Sequence, residues 1–370
     1  WHPDRRRVLV NSRTAMNYAV VAPIHRALAP DPRIEFYFTA SESPQRMAET
    51  YRDAGQGLSL VTAARAGLMK FDAYLAADFL WVTLPRGVSR IQTFHGVAGK
   101  HSREYEAPTS SMRLWDRLFF INRRRLQNYV AVGAIDADAP AACLIGMPKV
   151  DCLVDGSLHR DVVLRSLGID PARRTILYAP TWSCFSSLNT MGEELIEQLL
   201  RAGHLVIVKL HDRSRDPQYV NSGGIDWEAR LNPILRRFGG LLVQATDVCP
   251  YMVASDVLIT DHSSVGFEYL LLDRPVVRID SPTLISATDV HPAYVELLDG
   301  ASTSVRTSRE AVAAVERSLA EPSYRSATRK ATAEELFYRP GTATARAVTE
   351  IYKVLELDPP SAFLIPEMQH

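Results

Sequence analysis

The chain has 370 residues, 46% of them hydrophobic and 23% charged, with 42 Lys+Arg against 42 Asp+Glu. That length exceeds one ordinary hydrophobic core and suits two domains, and the composition is that of a soluble globular protein. No apolar run approaches the ~20 residues needed to span a bilayer, which excludes a conventional membrane span, and no nucleic-acid partner is expected.

The zero net charge hides an asymmetry. Residues 1–150 carry 20 Lys/Arg against 13 Asp/Glu, while residues 151–370 carry 22 against 29. A basic N-terminal half is expected to face an anionic partner. Two runs, Arg5-Arg6-Arg7 and Phe119 through Arg125, are candidates for contact with a membrane surface or a polyanionic acceptor; solvated arginines on exposed turns would read the same way. Cys143, Cys152, Cys184 and Cys249 are scattered without a Cys-x-x-Cys pair. Neither a zinc site nor a disulfide framework is expected, and a reducing cytoplasm fits. The chain opens on Trp1 rather than Met, as a trimmed sequence does, so a missing leader carries little weight.

Short apolar strands alternate with helical stretches, the mark of doubly wound α/β domains. A strand is predicted at Arg7–Val10, a helix over 14–29, a strand at Ile34–Thr39 and a helix over 43–54. Further strands are predicted at Phe79–Val82 and Ser89–Phe94, the latter delivering His95-Gly96. A helix over 113–126 and a strand at Tyr129–Val132 follow. After a polar, proline-marked stretch a second series begins. It comprises a strand at Thr175–Pro180 ending in Thr181-Trp182, a helix over 192–202 and a strand at Leu205–Leu210 delivering His211. A short strand at Gly240–Val243 and a later one at Pro275–Ile279 complete it. Two such series imply two Rossmann-like domains with a boundary between residues 150 and 172. The proline-punctuated tail after Leu357 is expected to be loosely ordered.

The segment from Asp256 to Tyr269 is the most informative. Val257-Leu258-Ile259 reads as a buried parallel strand; the chain breaks at Thr260-Asp261 and resumes as a helix from Ser264 through Leu272. Ser263 and Ser264 put hydroxyls and free backbone N–H groups at a helix start, where anions are attracted. Ser264 and Glu268, spaced i, i+4, share a helix face, so one short element could hold a phosphate and a ribose hydroxyl. A plain capped helix would carry the same residues.

In open parallel sheets ligands bind beyond the carboxyl ends of the strands. Four polar groups are expected there: His95-Gly96, Thr181-Trp182, Lys209 with His211, and Asp261 to Ser264. Gly96 permits close backbone approach, and Lys100 adds positive charge nearby. Lys209 and His211 would emerge on one face and suit a phosphate; Lys209 could also snorkel from the sheet, and Thr181 could merely cap a helix.

These motifs, taken in order, resemble the CDP-glycerol:poly(glycerophosphate) glycerophosphotransferase family, the teichoic-acid-type polymerases and primases. They are Phe94-His95-Gly96 with Lys100, Gly146-Met147-Pro148-Lys149-Val150-Asp151-Cys152-Leu153, Tyr178-Ala179-Pro180-Thr181-Trp182, Lys209-Leu210-His211, Asp256 through Tyr269, and Gly341-Thr342-Ala343-Thr344-Ala345-Arg346. The resemblance runs from about residue 90 to 355. It implies a GT-B architecture of two Rossmann-like doubly wound parallel-sheet domains facing an inter-domain cleft, an acceptor domain over 1–155, a nucleotide-donor domain over 172–345, and a C-terminal helix and tail over 346–370.

The resemblance also implies transfer of a polyol phosphate, glycerol phosphate above all, from a CDP-activated donor to a hydroxyl of a lipid-linked or polymeric acceptor, with neither metal nor cofactor. His95 and His211 are the implied catalytic residues. Gly96, Lys100, Thr181, Lys209, Asp261, His262, Ser263, Ser264 and Glu268 are the candidate substrate contacts. The sequence departs from the family at His262, usually Tyr, at Glu268, usually Asp, and at Asp212, usually Pro, departures that lie around the expected donor and bear on the transferred group more than on the fold. Peripheral contact with an anionic membrane at its cytoplasmic face is a further expectation. A GT-B glycosyltransferase using a nucleotide sugar, a UDP-sugar 2-epimerase with Glu104 or Glu106 as acid/base, and a catalytically silent nucleotide-sugar-binding scaffold stay open as alternatives.

Overall fold

A computed structural model describes residues 5–97, 110–218 and 222–363. Among these, residues 5–97, 110–151 and 335–363 form one compact unit and residues 152–334 form a second.

The first unit is built on seven strands. They are β1 (Arg6–Asn11), β2 (Ile34–Thr39), β3 (Ser59–Leu60), β4 (Ala73–Ala77), β5 (Ser89–Thr93), β6 (Arg117–Phe120) and β7 (Ala142–Leu144). All pair parallel in the order β3-β2-β1-β4-β5-β6-β7. The second unit carries β8 (Thr175–Tyr178), β9 (Leu205–Val208), β10 (Leu241–Leu242), β11 (Val257–Thr260), β12 (Val276–Ile279) and β13 (Thr303–Val305). These are also all parallel, in the order β10-β9-β8-β11-β12-β13. Each order reverses once, between β1 and β4 and between β8 and β11. Those switch points leave crevices beyond the strand ends, where doubly wound folds take ligands.

Parallel sheets are covered on both faces, so their strands are apolar throughout. Val8, Val10, Leu75 and Ile91 are buried in the first unit's core and Ile176, Val206, Val257 and Val277 in the second's. The Ala15–Leu28 helix of the first unit starts on Thr14, whose side chain accepts from the Asn17 N–H. The Ala343–Leu355 helix packs into that same core through Ala347, Val348 and Ile351. The chain thus returns to the first unit at residue 335, where the sequence reading runs the donor domain on to 345.

Two motifs hold that return. The Asp151 carboxylate accepts backbone N–H groups of Gly341 at 2.7 Å, Ala343 at 3.1 Å and Thr344 at 2.7 Å, the orphan donors of the helix start. Arg346 donates to the carbonyls of Ile145 at 2.7 Å and Arg339 at 2.7 Å. Gly146 lies between them at φ +91, and a Cβ there would stand 2.5 Å from the Tyr338 carbonyl oxygen, so only glycine fits.

Three predicted elements are corrected. The strand expected at Phe79–Val82 is irregular chain, and the strand is the preceding alanine-rich Ala73–Ala77. Phe79 and Trp81 pack instead against Trp115, with ring centroids 6.0 Å apart in each pair. The helix expected over 113–126 is interrupted by β6, and the strand expected at Tyr129–Val132 closes the Arg123–Ala131 helix. The β7 strand was not anticipated.

Inside the first core, burial together with the nearby Arg26 lowers the His25 pKa from 6.5 to about 4, and its Nδ1 lies 2.8 Å from the Tyr18 hydroxyl. The unfolded chain binds a proton near pH 6.5 that the folded chain refuses until about pH 4, so stability is full above that window and falls as pH drops through it. The loss is on the order of 3 kcal/mol. Thermal melts of the wild type should fall between pH 6.5 and 4 more steeply than those of His25→Gln, which does not titrate; parallel curves would refute the assignment.

Candidate active site

At the first unit's switch point, β4 is followed by Asp78, held in the left-handed region at φ 63. Its backbone N–H is tied to the Thr93 carbonyl at 2.7 Å. This turn carries the carboxylate to His95, which follows β5: Asp78 Oδ1 lies 2.6 Å from His95 Nδ1. The other oxygen, Oδ2, accepts from Asn17 Nδ2 at 3.1 Å, and Asn17 Oδ1 accepts from the Thr14 hydroxyl at 3.0 Å. Burial would raise the Asp78 carboxyl, but the charge and hydrogen bonds of His95, with Arg125 behind them, hold it below the ordinary carboxylate value. An ionised carboxylate only accepts, so Nδ1 of His95 must donate. In the neutral ring Nε2 then keeps its lone pair, on a side chain that is 56% exposed. Gly96 is half-buried beside it. Lys100, Glu104 and Glu106 lie outside the described residues.

The second unit gathers its candidates around the β8/β11 switch. Asp261, after β11, is fully buried. Its Oδ1 accepts the Thr181 N–H at 2.9 Å, and its Oδ2 accepts the Ser187 N–H at 3.0 Å and the Ser187 hydroxyl at 2.9 Å. Burial pushes the Asp261 carboxyl up, opposed by these same hydrogen bonds. Asp261 therefore clamps both ends of the loop that carries Trp182 and leads into the Ser187–Arg201 helix. Trp182 lies 5.9 Å from the His211 ring and under the Arg213 guanidinium at 4.2 Å.

His211 is oriented by its own chain: Nδ1 accepts the Arg213 backbone N–H at 3.1 Å, starting the Asp212–Arg215 turn of helix. With Nδ1 accepting, the neutral ring carries its proton on Nε2 and offers a donor. The two histidines thus hold opposite tautomers. Lys209 is 4% exposed and its Nζ donates to the Leu210 carbonyl at 2.6 Å.

Ser263 caps the Ser264–Tyr269 helix by accepting from the Val265 N–H, whereas the half-buried Ser264 hydroxyl makes no hydrogen bond among the described residues. Glu268 is 1% exposed, so the face shared with Ser264 runs from surface to interior. His262 is buried, with its ring 5.8 Å from Phe267. Thr181, His211, Trp182 and Asp261 are brought together, while His262 and Glu268 sit inside the fold.

Two residues of the site went unread in the sequence, Asp78 and Asn17. Asp78 ends an apolar run, the signal that singled out Asp261, but the aromatic stretch after it drew the strand assignment away. Four arginines of the two runs are engaged within the first unit. Arg6 donates to the Leu355 carbonyl, Arg7 pairs with Glu35, Arg124 pairs with Glu335, and Arg125 lies over Phe94.

Two parallel-sheet α/β domains, each with polar side chains at the switch point of its sheet, define a GT-B-fold protein. The family model for CDP-glycerol:poly(glycerophosphate) glycerophosphotransferases matches residues 10–353, and the chain belongs to that family. A teichoic acid poly(glycerol phosphate) polymerase of Bacillus spizizenii is 24% identical over 221 residues, covering 54% of this chain and 53% of the relative. The chain spans about half the length of that relative. The solved wall teichoic acid polymerase TagF superposes with a TM-score of 0.69 at 16% identity, over 95% of this chain and 89% of that one. A UDP-N-acetylglucosamine 2-epimerase gives 0.56 at 16% identity, over 95% and 96%. Both likenesses are of fold.

Asp261→Asn keeps the side-chain volume but turns an N–H₂ toward donors, and should cost on the order of 2 kcal/mol of stability. A chemical denaturation midpoint unchanged from wild type would show that the clamp carries no energy.

Proposed function

We propose that this chain transfers glycerol phosphate, or a closely related polyol phosphate, from a CDP-activated donor to a hydroxyl of a lipid-linked or polymeric acceptor. Family membership supports the substrate class, and the opposed tautomers of His95 and His211 carry the mechanism. His95 Nε2 takes the proton of the acceptor hydroxyl, whose oxygen forms the new bond to the donor phosphorus that bears the polyol. The P–O bond to the nucleotide breaks, and CMP leaves. Histidine suits the task because its ordinary pKa lies near working pH.

On this reading His211 Nε2–H and the Ser264 hydroxyl donate to the pyrophosphate, with Lys209 supplying charge and Thr181 and Ser263 backbone support, where charge develops on the leaving group. Asp261 serves by holding the loop of Thr181 and Trp182, and Asp78 by holding His95. The first unit is the acceptor domain and the second the donor domain.

Purified protein should release CMP from CDP-glycerol with an acceptor analogue, and no nucleotide from UDP- or GDP-sugars. His95→Ala should lose turnover by roughly 10²- to 10⁴-fold with donor affinity nearly unchanged, and Asp78→Asn should approach it. Release from a nucleotide sugar instead would turn the reading to a glycosyltransferase, and tight binding with no release would turn it to a scaffold.

A lipid-linked acceptor places the work at the inner face of a membrane, although no helix among the described residues is long and apolar enough to cross one. Leu68, Trp81 and Leu114 of the first unit are 89%, 42% and 55% exposed, with Arg65, Arg86 and Arg113 exposed near them in the chain. A Cβ on Gly67 would meet the Thr83 carbonyl oxygen at 3.1 Å, so two of these loops adjoin. Apolar tips ringed by cations fit an anionic interface. The protein should sediment with phosphatidylglycerol vesicles, and Leu68→Glu with Trp81→Glu should lose most of that binding; full retention would rule this surface out.

A further inference from the structure

A cavity of about 320 Å³ opens in the second unit, far along the sheet from the candidate donor residues. Its lining includes Val276 and Thr303, the first residues of β12 and β13. The candidate donor residues follow the last residues of β8, β9 and β11, so the cavity lies at the opposite, amino-terminal edge of the sheet. Small side chains make the space: Ala301 on one wall, Ala314 and Ser318 on the facing side of the Ser308–Ala320 helix. Its volume is at the lower end of small-ligand sites.

The polar groups around this space are of two kinds. Arg329, 1% exposed, is fully engaged: Nε donates to Asp273 Oδ1 at 3.0 Å, Nη2 to the Asp273 and Pro322 carbonyls at 3.0 and 2.8 Å, and Nη1 to the Tyr324 carbonyl. It holds the turn that forms the rim. Arg325, on that turn, sits at φ 60, a strained setting for a side chain this size. Its Nη1 donates to the Asp299 and Gly300 carbonyls at 2.9 and 2.8 Å and its guanidinium lies 5.4 Å from the centre of one face of Tyr324, which leaves Nε and Nη2 without a hydrogen-bond acceptor among the described residues.

The second kind is unengaged. The Arg317 side chain makes no hydrogen bond or ion pair among the described residues, although Glu321 stands one helical turn on. The Ser318 hydroxyl has no partner either, and Ser318 is 8% exposed. The exposed Arg317 guanidinium and the Ser318 hydroxyl thus both hold donors that an anion entering the cavity could meet. Three arginines and one glutamate among the lining residues leave the space cationic. Tyr324, 57% exposed, supplies a flat wall.

We infer that this cavity binds a small phosphate monoester with a flat apolar body. The phosphate oxygens accept from Arg317, Ser318 and the remaining donors of Arg325, and the body lies on Tyr324. Bidentate pairing makes guanidinium the fitting partner for phosphate. The site is separate from the donor pocket proposed above and does not rest on the transferase reading.

Phenyl phosphate is the probe, followed by ligand-observed NMR or calorimetry on the full chain, with inorganic phosphate and phenol as its two halves. Arg317→Ala should weaken phenyl phosphate about tenfold or more. Tyr324→Ala should weaken phenyl phosphate but leave inorganic phosphate unchanged, and His211→Ala should alter neither. Both cavity substitutions fall at exposed positions, and matching melting temperatures would confirm an intact fold. Absence of binding at about 10 mM probe, binding indifferent to Arg317→Ala and Tyr324→Ala, or binding lost in His211→Ala would each overturn the proposal.

Discussion

A buried carboxylate bonded to backbone N–H groups at the start of a helix is the interaction on which both units depend. Asp261 accepts from Thr181 and Ser187, and Asp151 accepts from Gly341, Ala343 and Thr344. A helix start leaves orphan donors, and a buried charge is tolerable only with its hydrogen bonds satisfied. Each need answers the other. One clamp shapes the loop beside His211; the other fastens the returning helix into the first core. Neither carboxylate has an oxygen turned wholly to a ligand, so these aspartates act through geometry.

The same economy of contacts sets the chemistry. A histidine ring has two nitrogens, and whichever is engaged decides what the other can do. His95 is engaged by a carboxylate and His211 by a backbone N–H. One ring therefore presents a lone pair and the other a proton, from side chains of identical composition. The Asn17 contact, itself fixed by Thr14, fills the second Asp78 oxygen and stops the carboxylate turning away from His95. In the proposed phosphoryl transfer, where positioning and charge balance supply most of the rate, this rigidity is worth more than any extra functional group.

Much of the fold was legible in the chain. Runs such as Leu205-Val206-Ile207-Val208 and Val257-Leu258-Ile259 are apolar throughout because both faces of a parallel strand are covered, and they were read with near-correct limits. The first unit was harder. The β4 sequence Ala73-Tyr74-Leu75-Ala76-Ala77 is poor in β-branched residues, while Phe79-Leu80-Trp81-Val82 next to it has the composition of a strand. Those aromatics pack around Trp115 instead, a demand of packing that local composition does not express. Arg117–Phe120 was lost inside a helical pattern for a similar reason, since a four-residue strand is too short to show its period against a helix that follows directly.

By itself the sequence determined the α/β class, the ordered motifs that place the chain in its family, and the strand ends at which polar side chains emerge. These depend on local periodicity and on residue order, which the chain carries openly. Only the tertiary structure decided what each polar residue does at its strand end. Asp78 meets His95 across 17 positions, Asp261 meets Thr181 across 80, and Asp151 meets Gly341 across 190. Whether a carboxylate orients a base, clamps a loop or stays open to a ligand is settled by which donors the sheet order brings beside it. The segment from Asp256 to Tyr269 read alone as a capped helix with a serine pair suited to a phosphate; folded, it divides into a clamp at Asp261, a cap at Ser263, an open hydroxyl at Ser264, and interior side chains at His262 and Glu268.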